Sequence, residues 1–407
     1  MFCTALLFLY NLLSLFFLFK ELLTSGLTAP RLKKQAMELV VRKNELLREL
    51  QLFQGIVERK NTIPILANVL LEASGEEVKL LATDLEVALR SRCQASVAKE
   101  GAVTLPAKKL YEIVKSLPET EVRIKQDKKG VKVAADRFDS RIQTLPREDF
   151  PTLPDSPAKK HRTLPRAALK EMVAKTQFSI TGEDTRYFLN GALLILGQKA
   201  TSMVATDGHR LALVSVPIKK DKKTKTEEEE KVILPKKTLL ELGKLLSESE
   251  GDITYEKGEN HLFFEVGGRI LISRMIDAQF PAYERVIPQG NDKVVEFDKD
   301  RLTSAVKRVA LLSNERSRAV KLEISKGKAE VASSSSEFGE ATEEIAVDYK
   351  GSSVNISFNA QYVLDFLSVV ETDVVSLSLK DDVSQAMMQP VAASGYDYTY
   401  VIMPMRI

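Results

Sequence analysis

Apolar residues return at helical spacing in paired segments along the chain. Within Pro106–Leu117 they are Leu110, Ile113, Val114 and Leu117. Within Pro235–Ser247 they are Leu239, Leu242, Leu245 and Leu246, and within Asn359–Val370 they are Val363, Phe366, Leu367 and Val370. Steps of three, four and seven put each set on one face, so each segment is predicted to be an amphipathic helix. Pro106 and Pro235 suit a first helical turn, where a missing N–H is no loss. Three more helices are predicted at Arg42–Gln54, Pro165–Gln177 and Asp300–Ser313. Short runs between them, Val78–Leu81, Val131–Ala134, Leu193–Leu196, Lys321–Ile324 and Asn355–Phe358, read as strands.

The pattern repeats. The helices opening at Pro106, Pro235 and Asn359 are offset by 129 and 124 residues, close to a third of the 371 residues from Met37 to Ile407. Ala82-Thr83-Asp84 recurs as Ala205-Thr206-Asp207, and Asp149-Phe150-Pro151 recurs as Gln279-Phe280-Pro281. The predicted fold class is α+β, with three tandem repeats of a two-helix unit layered on antiparallel sheet. Polar, turn-rich stretches near Pro157–Arg162 and Gln289–Lys293 divide the chain into residues 37–158, 159–290 and 291–407.

Residues 1–36 stand apart. Phe2 to Phe19 is almost wholly apolar and about eighteen residues long, the lower edge of a membrane span. No basic residue precedes it, and Lys20, Arg31, Lys33 and Lys34 follow. Three readings fit: an upstream extension of a chain that starts at Met37, a membrane tether through residues 1–23, or an export signal. The missing basic n-region and the lone cysteines disfavour export. If the segment is a tether, the positive-inside rule keeps the remainder in the cytoplasm, where a chain starting at Met37 is expected as well. Lys219–Lys231 alternates blocks of opposite charge and reads as a solvated loop.

Composition narrows the chemistry. Two cysteines, Cys3 and Cys93, exclude a disulfide framework, and three histidines, His161, His209 and His261, leave little for a metal centre. No metal or other cofactor is expected. No G-x-x-x-x-G-K-[ST] is present, so no nucleotide hydrolysis is expected. Asp207 and His209 are two residues apart on a turn, a poor geometry for acid–base work, and no nucleophile accompanies them. Net charge is only +3, but the six helices hold fifteen Lys and Arg against seven Asp and Glu, or +8, leaving −5 elsewhere. Helix propensity explains the lysines but not the shortage of Glu beside them. Arg48, Lys108, Lys109, Lys115, Lys170, Lys175, Lys236, Lys237, Lys244, Lys307 and Arg308 therefore suggest a basic face for phosphates. No base-reading or stacking platform goes with it.

Several blocks resemble the bacterial sliding clamps, the β subunits of DNA polymerase III. They are Lys60–Ala73 (KNTIPILANVLLEA), Arg186–Gly191 (RYFLNG), Ala205–Leu211 (ATDGHRL), Phe280–Pro288 (FPAYERVIP), Leu312–Arg316 (LSNER) and Tyr400–Ile407 (YVIMPMRI). The resemblance runs in order from Met37 to Ile407. It implies a non-catalytic processivity factor: a head-to-tail homodimer closed as a ring around duplex DNA, strands on the rim and helices lining the hole. It implies interface contacts at Ile142 on one side and Leu311 and Leu312 on the other. It places DNA contacts at Lys60 and Arg186 in loops, although Glu183 beside Arg186 is a poor neighbour for phosphate. It also implies a peptide cleft between the second and third units, lined by Leu189, Thr206, Gly208, His209, Arg210, Leu211, Pro281, Arg285, Val286, Val383, Val401, Ile402, Met403, Pro404, Met405 and Arg406. The partners implied are the polymerase catalytic subunit, the clamp loader, and other replication and repair proteins. Two rival readings are a membrane-anchored scaffold and a hydrolytic or metal enzyme.

Overall fold

The computed structural model describes residues 36–57, 62–157, 161–218 and 228–406. The six helices are α1 (Lys43–Phe53), α2 (Ala107–Ser116), α3 (Arg166–Thr176), α4 (Lys236–Glu248), α5 (Lys299–Ala310) and α6 (Ala360–Val369). Asp298 caps α5 by accepting the N–H of Arg301, and Asn359 caps α6 by accepting that of Gln361. Pro106 and Pro235 sit one position earlier than expected, just before the helix. Each is also the last residue of a strand, Gly101–Pro106 or Glu230–Pro235. A residue with no N–H to donate thus ends the ladder where the helix begins. Each helix buries its apolar stripe. In α4, Leu239, Leu242, Leu245 and Leu246 are at most 1% exposed, each contributing about 1.5–3 kcal/mol.

The strands form four antiparallel sheets among the described residues. The first has five strands, all from the first unit, and ends at Phe138–Ile142. The second has eight: four from the first unit and four from the second, joined where Val87–Gln94 pairs with Arg269–Arg274. The third also has eight, joined where Arg210–Pro217 of the second unit pairs with Asp397–Ile402 of the third. The fourth has four strands of the third unit and ends at Gly339–Ala346. Each unit therefore contributes half a sheet to each neighbour, and two half-sheets are left at the ends of the chain.

The helices form one layer. α2 packs on α1, α1 on α4, α4 on α3, α3 on α6 and α6 on α5, so contact crosses both junctions without a break. Buried and half-buried ionic groups tie the units together. Arg269 forks onto Glu49 of α1, Lys237 bonds Asp84 and the Ile56 carbonyl, and Lys175 reaches the Val369 carbonyl. No helix among the described residues is long and apolar enough to cross a membrane. The segment Phe2–Phe19 lies outside the described residues, as do residues 219–227 of the charged stretch.

Candidate peptide cleft and basic helix face

The repeated Ala-Thr-Asp tripeptides build the same turn twice. Asp84 Oδ1 accepts the N–H groups of Glu86 and Val87 at 2.9 and 2.7 Å. Asp207 Oδ1 accepts those of His209 and Arg210 at 2.9 and 3.0 Å. The residue after each Asp is left-handed, Leu85 at φ 80° and Gly208 at φ 88°. Glycine adopts that conformation freely and leucine does not. It is the His209 backbone, not its ring, that meets Asp207, so the two side chains form no acid–base pair. Cys93 is buried, which pushes its thiol up to about 12 and keeps it inert. No cluster of His, Cys, Asp and Glu suited to a metal occurs among the described residues.

Arg210 is the hub of the second junction. Its guanidinium is 9% exposed and bonds Asp207 Oδ2 at 3.0 Å, the Phe178 carbonyl at 2.6 Å and Asp365 of α6. It also lies over the Tyr362 ring, 4.2 Å from the centroid. Burial opposes the charge, but Tyr400, Asp365 and Asp207 outweigh it, and the pKa is raised. Arg210 is thus consumed in holding the turn to the third unit.

Beside this hub lies an apolar patch on the outer face of the third sheet. Leu193, Ile195, Val204, Leu211, Ile233, Phe280 and Val401 form it, with Phe188, Tyr283, Val286 and Ile287 half-buried against it. Thr206 Oγ1 donates to the Arg210 carbonyl and accepts from the Gly208 N–H. Leu189 is buried, whereas Pro281 and Arg285 are exposed at the margin. The tail Met403–Met405 is half-buried and crosses the edge, Met403 N–H to the His209 carbonyl and Met405 N–H to the Ser357 carbonyl. Arg406 is exposed, and Val383 is 58% exposed on a turn made by Asp381. Ile402 does not belong with them. It alternates with Val401 and points into the main core, 0% exposed. Phe188, Tyr283 and Ile287 escaped the sequence reading, because their role depends on a loop folding back over the sheet.

Arg186 is 54% exposed, and an ideal Cβ on Gly208 would lie 3.4 Å from its Nη1. Asp184 receives its Nε and Nη2 at 3.0 and 2.8 Å. The Arg186 guanidinium and backbone N–H together hold the Asp184 carboxyl down at about 2. The expected loop contact is therefore already half-neutralised and leans on the cleft turn. Lys60 lies outside the described residues.

Among the helix cations, Arg48, Lys108, Lys109, Lys115, Lys170, Lys244, Lys307 and Arg308 are exposed. Lys109 pairs with Glu112, Lys244 with Glu241 and Arg308 with Glu343, while Lys170 and Lys307 have no ion pair among the described residues. Lys175 contradicts the expectation of a solvent-facing cation. It is 2% exposed, bonded to Glu171 and the Val369 carbonyl, under the Tyr396 ring. Helical periodicity put it on a wet face of its own unit, and the third unit covers that face. Lys236 and Lys237 are likewise half-buried, bonding the carbonyls of Ile180 and Ile56. Of the expected interface residues, Leu311 is 78% exposed and Leu312 half-buried, whereas Ile142 is 9% exposed in the core of its own unit.

Comparison with known proteins agrees with this architecture. Residues 37–154, 163–282 and 284–406 match, in turn, the N-terminal, central and C-terminal domains of the DNA polymerase III beta subunit. The beta sliding clamp of Pseudomonas putida is 41% identical over 375 residues, covering 91% of this chain and 100% of the relative. That of Escherichia coli K12 is 36% identical over 373 residues, with the same coverage. The Pseudomonas aeruginosa sliding clamp, in a crystal structure bound to griselimycin, superposes with a TM-score of 0.85 at 37% identity, covering 92% of this chain and 100% of that one. The sliding clamp of Caulobacter crescentus gives 0.82 at 34% identity, covering 91% and 100%. With three domains matched in order and relatives aligned over their whole length, the chain belongs to the DNA polymerase III beta subunit family, the bacterial sliding clamps.

Proposed function

We propose that two copies of this chain close head to tail into a ring around duplex DNA and carry client proteins by the cleft at the second junction. The half-sheets at the chain ends support this reading. Both internal junctions are eight-stranded sheets made of two four-stranded halves. In the repeat, Phe138–Ile142 corresponds to Arg269–Arg274, and Gly339–Ala346 to Val87–Gln94 and Arg210–Pro217. Among the described residues, Phe138–Ile142 and Gly339–Ala346 each have one unpaired edge. Pairing the first with the second of another copy repeats the internal junction, and doing so twice closes a ring in which both of these edges are paired. Exposed Leu311 lies at the end of α5 of the same terminal unit and gives the contact apolar area.

In such a ring the helix layer faces the hole. Its exposed cations attract phosphates without reading bases, which favours retention and permits sliding. Affinity then comes from topology: the protein leaves a linear duplex by its ends and a closed circle only by opening. The cleft supplies an apolar surface edged by Arg285, Met403 and Met405, suited to short peptides of the polymerase catalytic subunit, the clamp loader and repair proteins. The chain itself performs no covalent chemistry in this role.

The test is retention on loaded circular DNA before and after linearisation, with negative-stain images of residues 37–407. Ring-shaped particles and loss of protein only after cutting are expected. Equal loss from both forms refutes encirclement. Deleting Met403–Ile407 is expected to abolish client-peptide binding and spare the ring, and undiminished peptide affinity refutes the cleft.

A further inference from the structure

The two internal junctions are copies of one another, but different side chains cover them. Past each Asp turn, the Glu86 carbonyl accepts the Arg274 N–H at 2.8 Å, as the His209 carbonyl accepts that of Met403 at 2.9 Å. Strand register then equates Ala88 with Leu211, Ile272 with Val401 and Phe263 with Met387. At the second junction Met387 stays half-buried, outside the apolar patch. Ala88 and Ile272 are buried, as are their counterparts Leu211 and Val401, but Phe263 differs from Met387: it is 4% exposed, in one cluster with Leu153, Ala88 and Ile272.

Leu153 belongs to the segment linking the first two units. Phe150, three residues earlier, seats in an adjoining cluster with Ile65, Leu66 and Leu70. Arg90 fastens the segment between unit and unit. Its Nη2 donates to the Leu153 and Pro154 carbonyls, both at 3.1 Å, and its Nη1 to Asp155 at 2.8 Å. The equivalent of Arg90 in the second unit is Leu213, which has nothing to donate. The linker there follows Phe280-Pro281 into a tight turn at Tyr283–Arg285, and Tyr283, Val286 and Ile287 pack on the patch. One arginine distinguishes a junction whose linker is held by hydrogen bonds from one where the same position packs against the patch.

We propose that the first junction is a peptide-binding surface of the same kind as the second, filled by Phe150–Asp155 as a tethered ligand. It takes extended peptides with an aromatic and an aliphatic anchor three residues apart once the tethered segment is loosened. This rests on reading the second junction as a peptide cleft. Tethering keeps the segment at an effective concentration in the millimolar range, so a free peptide does not displace it from the parent protein.

The test uses a fluorescent synthetic peptide with the sequence of Asp149–Ser156, added to the parent and to Leu153→Ser. Folding is checked by circular dichroism, and the milder Leu153→Ala serves as a second variant. Saturable binding about tenfold tighter or more to the Leu153 variants than to the parent is expected. Deleting Met403–Ile407 in the Leu153→Ser background is expected to leave the peptide bound. Loss of binding with that deletion would place the peptide in the second cleft and overturn the proposal while upholding the second cleft. Equal affinity for parent and variants, or no binding to the variants up to about 1 mM, also overturns it.

Discussion

Arg269 and Glu49 join the second unit to the first in a largely buried site at the edge of a cavity. Their side chains are 5% and 7% exposed, Nε and Nη2 meet the two carboxylate oxygens at 2.8 and 2.5 Å, and Nη1 reaches Ser249 Oγ at 2.9 Å. Such a pair barely recovers the cost of dehydrating two ions, but losing one partner strands the other. Arg269→Met leaves the Glu49 carboxylate buried in α1 and is expected to cost about 3–5 kcal/mol. At about 1.4 kcal/mol per decade, the opening equilibrium rises by roughly two to four powers of ten. Replacing both, as Glu49→Leu with Arg269→Met, is expected to return to within about 1 kcal/mol of the parent, because no charge remains to hydrate. Hydrogen exchange at the paired strands Val87–Gln94 and Arg269–Arg274 reads this opening directly, even if the whole chain does not unfold in one step. A shift below about 1 kcal/mol for Arg269→Met would refute the reasoning. A double variant as unstable as the single one would assign the loss to packing rather than to charge.

Three further outcomes are expected. Leu85→Gly relieves a left-handed leucine and is expected to stabilise by about 1 kcal/mol, whereas Gly208→Ala strains the matching turn, crowds Arg186 and costs about 1–2 kcal/mol, both read from urea midpoints. The Asp184 carboxyl titrates lower in the folded chain than unfolded, so its contribution is present above pH about 4 and lost as pH falls toward about 2. Asp184→Asn is therefore expected to be no less stable than the parent near pH 2 and less stable at pH 7, and a difference constant across that range contradicts the pairing. Charge reversal at Arg186, Lys170 or Lys307 is expected to weaken DNA binding by unloaded protein, with the log–log salt slope falling by about 0.9 for each phosphate contact removed, and an unchanged slope removes that residue from the DNA face.

Much of this architecture was legible in the residues alone. Helix periodicity placed α1 to α6 to within a residue or two at most ends, since each apolar stripe is encoded within one segment. The repeats were visible because the Ala-Thr-Asp echo encodes a turn closed by its own side chain, a contact spanning three residues. The missing base-reading motif and the excess of helix cations likewise needed no coordinates. What the strands would join was not legible, because antiparallel pairing across a junction leaves no local mark.

The sequence by itself determined the units: their number, their helices, their strands and the turn they share. Only the tertiary structure decided which side chains remain available between units. Lys175 is counted as a wet cation until the Val369 carbonyl, 194 residues away, accepts a hydrogen bond from its Nζ. Ile402 faces the core while Val401 faces the patch, and a single step of strand register separates them. Arg90 bonds the linker at one junction while its counterpart Leu213 packs on the apolar patch at the other. Local propensity is set by neighbours in the chain, but burial is set by whatever surface arrives from elsewhere, and a charge or an apolar face acquires its role only when that surface is in place.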